Sequence, residues 1–230
     1  MGSVSRKPSA VLWDMDGTLV DTEPYWMAAE TALVESFGGT WSHEDALQLV
    51  GSGLLDSAVI LQKAGVTMDA VAIVSHLTDA VQDSLRTQGV PFRPGARELL
   101  RDLRDAGIPT GLVTMSLRRM ALSVVDLIEF EAFDIVVAGD DVDNPKPHPE
   151  PYLQGAALLD IDITEAIVIE DSPTGVRAGL ASGALTLAVP HILPLDHLGA
   201  HELWTTLAGR GAEDLTDLFD RVTTPTGADR

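Results

Sequence analysis

The 230-residue chain contains no cysteine. That removes disulfides, thiolate zinc sites, iron–sulfur clusters and every cysteine nucleophile, the cysteine-dependent phosphatases among them. The absence accords with a cytoplasmic setting. Positive charge is also scarce: 15 lysines and arginines stand against 35 acids, a formal net charge of −20. A field of that sign repels nucleic acid and anionic membranes, so neither is expected as a partner. Nor is there a long hydrophobic run. The apolar stretch after the polar first residues is cut at Asp14, too short for the apolar region of a signal peptide. Residues 185–195 are interrupted by Pro190, His191 and Pro194, and a bilayer span needs ~20 mostly apolar residues. These absences lead to the expectation of a soluble cytoplasmic protein.

What is present is an ordinary globular composition, 45% hydrophobic and 22% charged, in a length that suits one large domain or a core with an insertion. One segment departs from the acidic background. Residues 91–120 hold Arg93, Arg97, Arg101, Arg104, Arg118 and Arg119 against three acids. Arg97, Arg101 and Arg104 fall at helical spacing, which favours a solvated helix face over an anion site.

Short apolar runs alternate with helical patterns, the signature of βα units and a parallel sheet. The runs lie at 10–13, 110–113, 135–138, 166–169 and 185–189. They are apolar throughout, as a sheet covered on both faces requires. After Pro94, the apolar positions Ala96, Leu99, Leu100, Leu103 and Ala106 predict a helix closed by Gly107. Residues 117–129, 151–159 and 213–222 read similarly, and 223–230 read as a frayed tail. The gap between the first two runs is anomalous. A crossover needs about a dozen residues, whereas 20–94 offers far more and reads as helices at 23–37, 44–50, 54–64 and 69–87. This predicts a small helical domain, residues 22–90, inserted into an α/β core formed by 1–21 and 91–230.

In an open parallel sheet, ligands sit beyond the carboxyl ends of the strands. The first run is followed by Asp14-Met15-Asp16-Gly17-Thr18 and the second by Thr114-Met115-Ser116. The third leads into a proline-rich loop holding Lys146, and the fourth into Glu170-Asp171-Ser172. Carboxylates, a hydroxyl and an ammonium would converge on one sheet edge. Carboxylate oxygens suit Mg2+, while lysine and hydroxyls suit phosphate.

These residues resemble the four motifs of the haloacid dehalogenase (HAD) superfamily, in particular its phosphatases with a helical cap after the first strand. Asp14-Met15-Asp16-Gly17-Thr18-Leu19-Val20-Asp21 matches the first motif and Thr114 the second. Lys146 in Asn144-Pro145-Lys146-Pro147-His148-Pro149 matches the third, and Glu170-Asp171-Ser172-Pro173-Thr174-Gly175 the fourth. Pro145 replaces the usual Gly and Glu150 the usual Asp. The resemblance implies a parallel-sheet, Rossmann-like α/β core with an inserted α-helical cap. It also implies an Asp14 nucleophile that forms an aspartyl-phosphate, with Asp16 as general acid and base. Mg2+ would be held by Asp14, the Asp16 backbone carbonyl and Asp171, with Glu170 in or next to its shell. Thr114, the Met115 amide and Lys146 would hold the phosphoryl oxygens. Ser172 reads as a helix cap, and Gly175 as permitting close approach to the first loop.

The implied activity is hydrolysis of a small phosphomonoester such as a sugar, polyol or glycolate phosphate. A dehalogenase does not keep an acid two positions after its nucleophile, so Asp16 argues against that branch. A β-phosphoglucomutase-type mutase shares all four motifs. The positions where mutases carry a His, an Arg and a Lys for the second phosphate correspond here to Trp26, Leu54 and Leu117. A catalytically idle binding relative is expected to have lost a motif residue, and none is lost. For substrate choice the candidates are Glu23, Trp26, Ser52, Ser116 and Arg118, with Tyr25 and Trp41 nearby. A core role for Trp26 and Trp41 is equally compatible with their helical surroundings. Oligomeric state cannot be read from these patterns.

Overall fold

The computed structural model describes residues 6–50 and 52–224. Part of the expected tail, 225–230, and Gly51 of the expected Gly51-Ser52-Gly53 turn lie outside the described residues.

Among the described residues six parallel strands form one sheet: β1 (Ala10–Trp13), β2 (Thr110–Val113), β3 (Ile135–Val137), β4 (Ala166–Glu170), β5 (Leu185–Ala188) and β6 (Glu202–Leu203), in the order β3-β2-β1-β4-β5-β6. This is the Rossmann-like order, and the chain reverses direction across the sheet between β2 and β4, on either side of β1. Five strands fall on the apolar runs. The sixth is two residues long and carries no run to betray it.

Alternation along each strand assigns the two faces. Val11, Trp13, Leu112, Ile167 and Ile169 pack on one face, against Leu99, Leu100 and Leu103 of α5 (Ala96–Asp105), Met120 and Val124 of α6 (Arg118–Asp126), and Leu215 and Phe219 of α9 (Ala212–Thr223). Leu12, Val113, Val137 and Val168 pack on the other with Tyr152 of α7 (Glu150–Leu158) and Ala178 of α8 (Pro173–Ser182). Both faces are dry, which is why the strands show no polar alternation.

Between β1 and α5 the chain forms α1 (Glu23–Ser36), α2 (His43–Leu47), α3 (Leu54–Lys63) and α4 (Ala70–Gln88). Their buried side chains, among them Leu33, Val34, Leu61, Ile73, Leu77 and Val81, join the cluster on the first face of the sheet. Asp69 caps α4 by accepting from the Ala72 amide at 2.9 Å, one of the orphan donors of a helix start. α4 also meets α6 through Arg119, which donates to Asp79, Gln82 and Ser75.

The basic segment resolves into structural pairs. Arg97 bonds Glu129, Arg104 bonds Asp134, and Arg101 lies over the Phe130 ring at 4.5 Å. The helix-face reading of these three therefore stands. Among the described residues no helix is long and apolar enough to cross a membrane.

Candidate active site

The sheet order dictates the site. β1 lies between β2 and β4, so the residues leaving all three strands meet at one edge. Asp14, the first residue past β1, is fixed by its amide, which donates to the Ile169 carbonyl at 3.1 Å. Glu170 ends β4 and Asp171 follows it. Ligand oxygens of Asp14, Glu170 and Asp171 lie within 4.8 Å of one another, and all three groups are buried.

Lys146 reaches this cluster from the loop before α7. Its Nζ donates to Asp14 Oδ1, Glu170 Oε1 and the Val113 carbonyl at 2.7, 2.7 and 2.8 Å. The proline-rich loop is also tied by Glu150, whose carboxylate accepts from the amides of Asp143 and Asn144 and from the Asn144 side chain. Glutamate in place of the usual aspartate thus still organises the lysine loop.

Glu170 is held by five donors: Lys146 and the Tyr152 hydroxyl (2.6 Å) on one oxygen, and the amides of Asp171 and Ser172 with the Ser172 hydroxyl on the other. Two glycines make this packing possible. A Cβ on Gly175 would lie 1.8 Å from Glu170 Oε1, and one on Gly17 would lie 2.1 Å from Asp171 Oδ2. Gly17 also has φ +87°, which other residues adopt at a cost. The close approach at Gly175 is therefore to Glu170, not to the first loop, where Gly17 fills that role. Ser172 caps α8 as its sequence suggests, accepting from the Gly175 amide at 3.0 Å.

The electrostatics are those of a site short of positive charge. Burial, then the Glu170 charge, push the Asp14 carboxyl up to about 7 even though Lys146 pulls it down. Burial with the charges of Asp14 and Glu170 likewise raises Asp171. For Lys146 burial works against the ammonium, but Asp14 and Glu170 outweigh it and hold it above its ordinary range. One ammonium against three buried carboxylates leaves excess negative charge that a cation would neutralise. Clustered carboxylate oxygens of this kind fit Mg2+.

Asp16 stands apart from that cluster. One oxygen accepts from Thr22 and, at 3.4 Å, from the Trp26 indole; the other accepts from the Ser116 hydroxyl at 2.7 Å and the Thr114 hydroxyl at 3.4 Å. Its side chain is not among the clustered carboxylates. Thr114 also accepts from the Ser116 amide at 3.0 Å, and Met115 Sδ accepts from the Lys146 amide at 3.3 Å, so the second and third motifs interlock.

The specificity candidates divide. Trp26 and Ser116 touch Asp16. Glu23 opens α1 with its carboxyl raised to about 7 by burial and by the charges of Asp16, Glu30 and Asp21. Ser52 is exposed, its hydroxyl directed to the Gln48 carbonyl. Arg118 is spent on Asp141, to which its Nε donates at 2.9 Å, and on the Val136 carbonyl. Tyr152 and Thr22 were not legible as site residues; each reaches its partner through the fold.

A family model described as haloacid dehalogenase-like hydrolase matches residues 11–189. A phosphorylated carbohydrates phosphatase of Thermotoga maritima is 31% identical over 175 residues, 76% of this chain and 81% of that protein. A bifunctional riboflavin kinase/FMN phosphatase of Arabidopsis thaliana is 31% identical over 202 residues, 85% of this chain; the match takes in 52% of that longer protein. Among solved structures, a beta-phosphoglucomutase of Clostridium difficile has the same fold, with a TM-score of 0.79 at 20% identity over 93% of this chain and 98% of that one.

The crowding at this site has consequences for stability. With Asp14 and Asp171 raised in the folded state, the metal-free protein binds protons there that the unfolded chain releases, so it loses stability as pH rises from the ordinary carboxylate range toward 7. Thermal melts should show Asp171→Asn more stable than wild type at pH 8 without metal, by at least about 2 °C, the effect of ~1 kcal/mol at this size. Added Mg2+ should raise the melting temperature of wild type and not of the variant; an unresponsive wild type would refute the cation site. Gly175→Ala should cost about 1–3 kcal/mol by overpacking and remove the Mg2+ response, measured the same way.

Proposed function

The chain belongs to the haloacid dehalogenase-like hydrolases, and on that premise we propose that it is a Mg2+-dependent phosphatase acting on a small phosphomonoester through an aspartyl-phosphate. The observation that carries this reading is the placement of Asp14. It is a buried carboxylate at the end of β1, 2.7 Å from Lys146 Nζ, and it shares a cluster with Glu170 and Asp171.

The steps follow from the groups present. An Asp14 oxygen attacks phosphorus in line, and the bond from phosphorus to the leaving oxygen breaks. Asp16 gives that oxygen a proton. Asp16 then takes a proton from water, which attacks the phosphorus of the aspartyl-phosphate, releases phosphate and restores Asp14. Lys146, Thr114 and the Met115 amide hold the phosphoryl oxygens where transition-state charge gathers. Asp14, Asp171 and the Asp16 backbone carbonyl would hold Mg2+, with Glu170 in or next to its shell. When bound, the cation supplies the neutralisation that lets an anionic carboxylate meet an anionic ester.

In this reading residues 22–90 serve as the cap over a core of 1–21 and 91–230. The leaving group then faces Glu23 and Trp26 at the start of α1. A carboxyl there accepts hydrogen bonds from hydroxyls, which favours a sugar or polyol phosphate; the Thermotoga maritima relative is named for phosphorylated carbohydrates. Mutase chemistry is disfavoured because Trp26, Leu54 and Leu117 offer no cation for a second phosphate, and an idle role because all four motifs are intact. A small phosphorylated metabolite in the cytoplasm completes the proposal.

Asp14→Asn should lower phosphate release by on the order of 10³-fold or more with the fold retained; substantial residual turnover would remove it as nucleophile. Asp16→Ala should cost about 10²–10⁴-fold for alkyl phosphates and much less for a nitrophenyl phosphate, whose leaving group needs little protonation. Equal losses would count against the acid role. EDTA should silence the enzyme and Mg2+ restore it, followed as phosphate release.

A further inference from the structure

The insert joins the core through two linkers that run side by side. Val20 and Phe92 form an antiparallel bridge, the Asp21 amide donates to the Pro91 carbonyl at 2.7 Å, and the Arg93 amide donates to the Leu19 carbonyl at 2.9 Å. A third segment, the loop after β5, meets both. His191 of that loop lies 2.9 Å from Asp21 Oδ1 through Nε2 and 2.7 Å from Arg93 Nη1 through Nδ1, and Arg93 Nη2 also donates to the Pro190 carbonyl.

The polarity of this relay is fixed by its ends. A guanidinium can only donate, so His191 Nδ1 must accept, and the ring proton sits on Nε2, facing a carboxylate that can receive it. His191 thus joins Asp21 of the first linker to Arg93 of the second through its two ring nitrogens. Its own loop is anchored beside the site, because the Val189 amide donates to the Glu170 carbonyl at 2.7 Å. At the other end, Thr22, the neighbour of Asp21, bonds Asp16.

We propose that His191 is a positioning residue that locks both linkers to the core loop and so sets the angle of the helical insert over the site. Its consequence for turnover rests on the cap and phosphatase reading above; its effect on the linkers does not. Glutamine can reproduce the relay, since its amide offers one acceptor for Arg93 and one donor for Asp21 without an ionisable ring.

The test is amide hydrogen exchange of the full chain, comparing wild type, His191→Ala and His191→Gln. The Asp21 and Arg93 amides should exchange about tenfold faster in the alanine variant, with amides of β1 and β4 unchanged, and within about twofold of wild type in the glutamine variant. kcat/KM for a sugar phosphate should fall in the alanine variant and recover in the glutamine variant. Linker exchange unaltered by alanine, or glutamine behaving as alanine, would overturn the proposal. Should alanine also loosen the strands, His191→Phe keeps the ring volume without either polar atom and is judged by the same criterion. Absence of turnover in wild type would bear on the phosphatase reading alone, leaving the exchange comparison to decide the role of His191.

Discussion

The structure turns on one unfavourable interaction: three carboxylates, Asp14, Glu170 and Asp171, buried together with a single ammonium. Charge is costly to bury and costlier beside its own sign. The protein answers with Lys146 between Asp14 and Glu170, a Tyr152 hydroxyl, and backbone amides aimed at Glu170. These contacts offset the cost only in part, and burial beside like charge still raises the carboxyls of Asp14 and Asp171 above their ordinary range. A site left in that condition is matched to a cation together with a group that Lys146 can share.

The fold supplies the means. A dry parallel sheet fixes the strand ends, and the central place of β1 brings three of them to one edge. Gly17 and Gly175 remove the side chains that would hold Asp171 and Glu170 apart from their neighbours. Asp16 is kept out of the cluster by donors from the helical insert and from the loop after β2. In the proposed mechanism this division separates the group that would give and take protons from the group that would attack phosphorus.

Much of this was legible in the sequence because it is local. Five strands are short apolar runs, the helices carry their own periodicity, and the motif carboxylates sit at or just past the ends of their strands. What escaped depends on contacts across the chain. β6 is too short to have a pattern. Tyr152 meets Glu170 from 18 residues away, and the bond from Thr114, itself expected at the site, to Asp16 spans 98 residues. Arg118 looked available for substrate because its partner Asp141 lies 23 residues on. His191, without any ligand spacing in the sequence, joins Asp21 across 170 residues.

The central claim is that Asp14 carries the phosphoryl group. The most direct measurement is a rapid acid quench during turnover of a phosphoryl-labelled sugar phosphate with Mg2+, followed by mapping of the label to peptides. Transient label is expected on the peptide containing Asp14, and none when metal is withheld. Steady turnover with no trapped label, or label on any other residue, would contradict it.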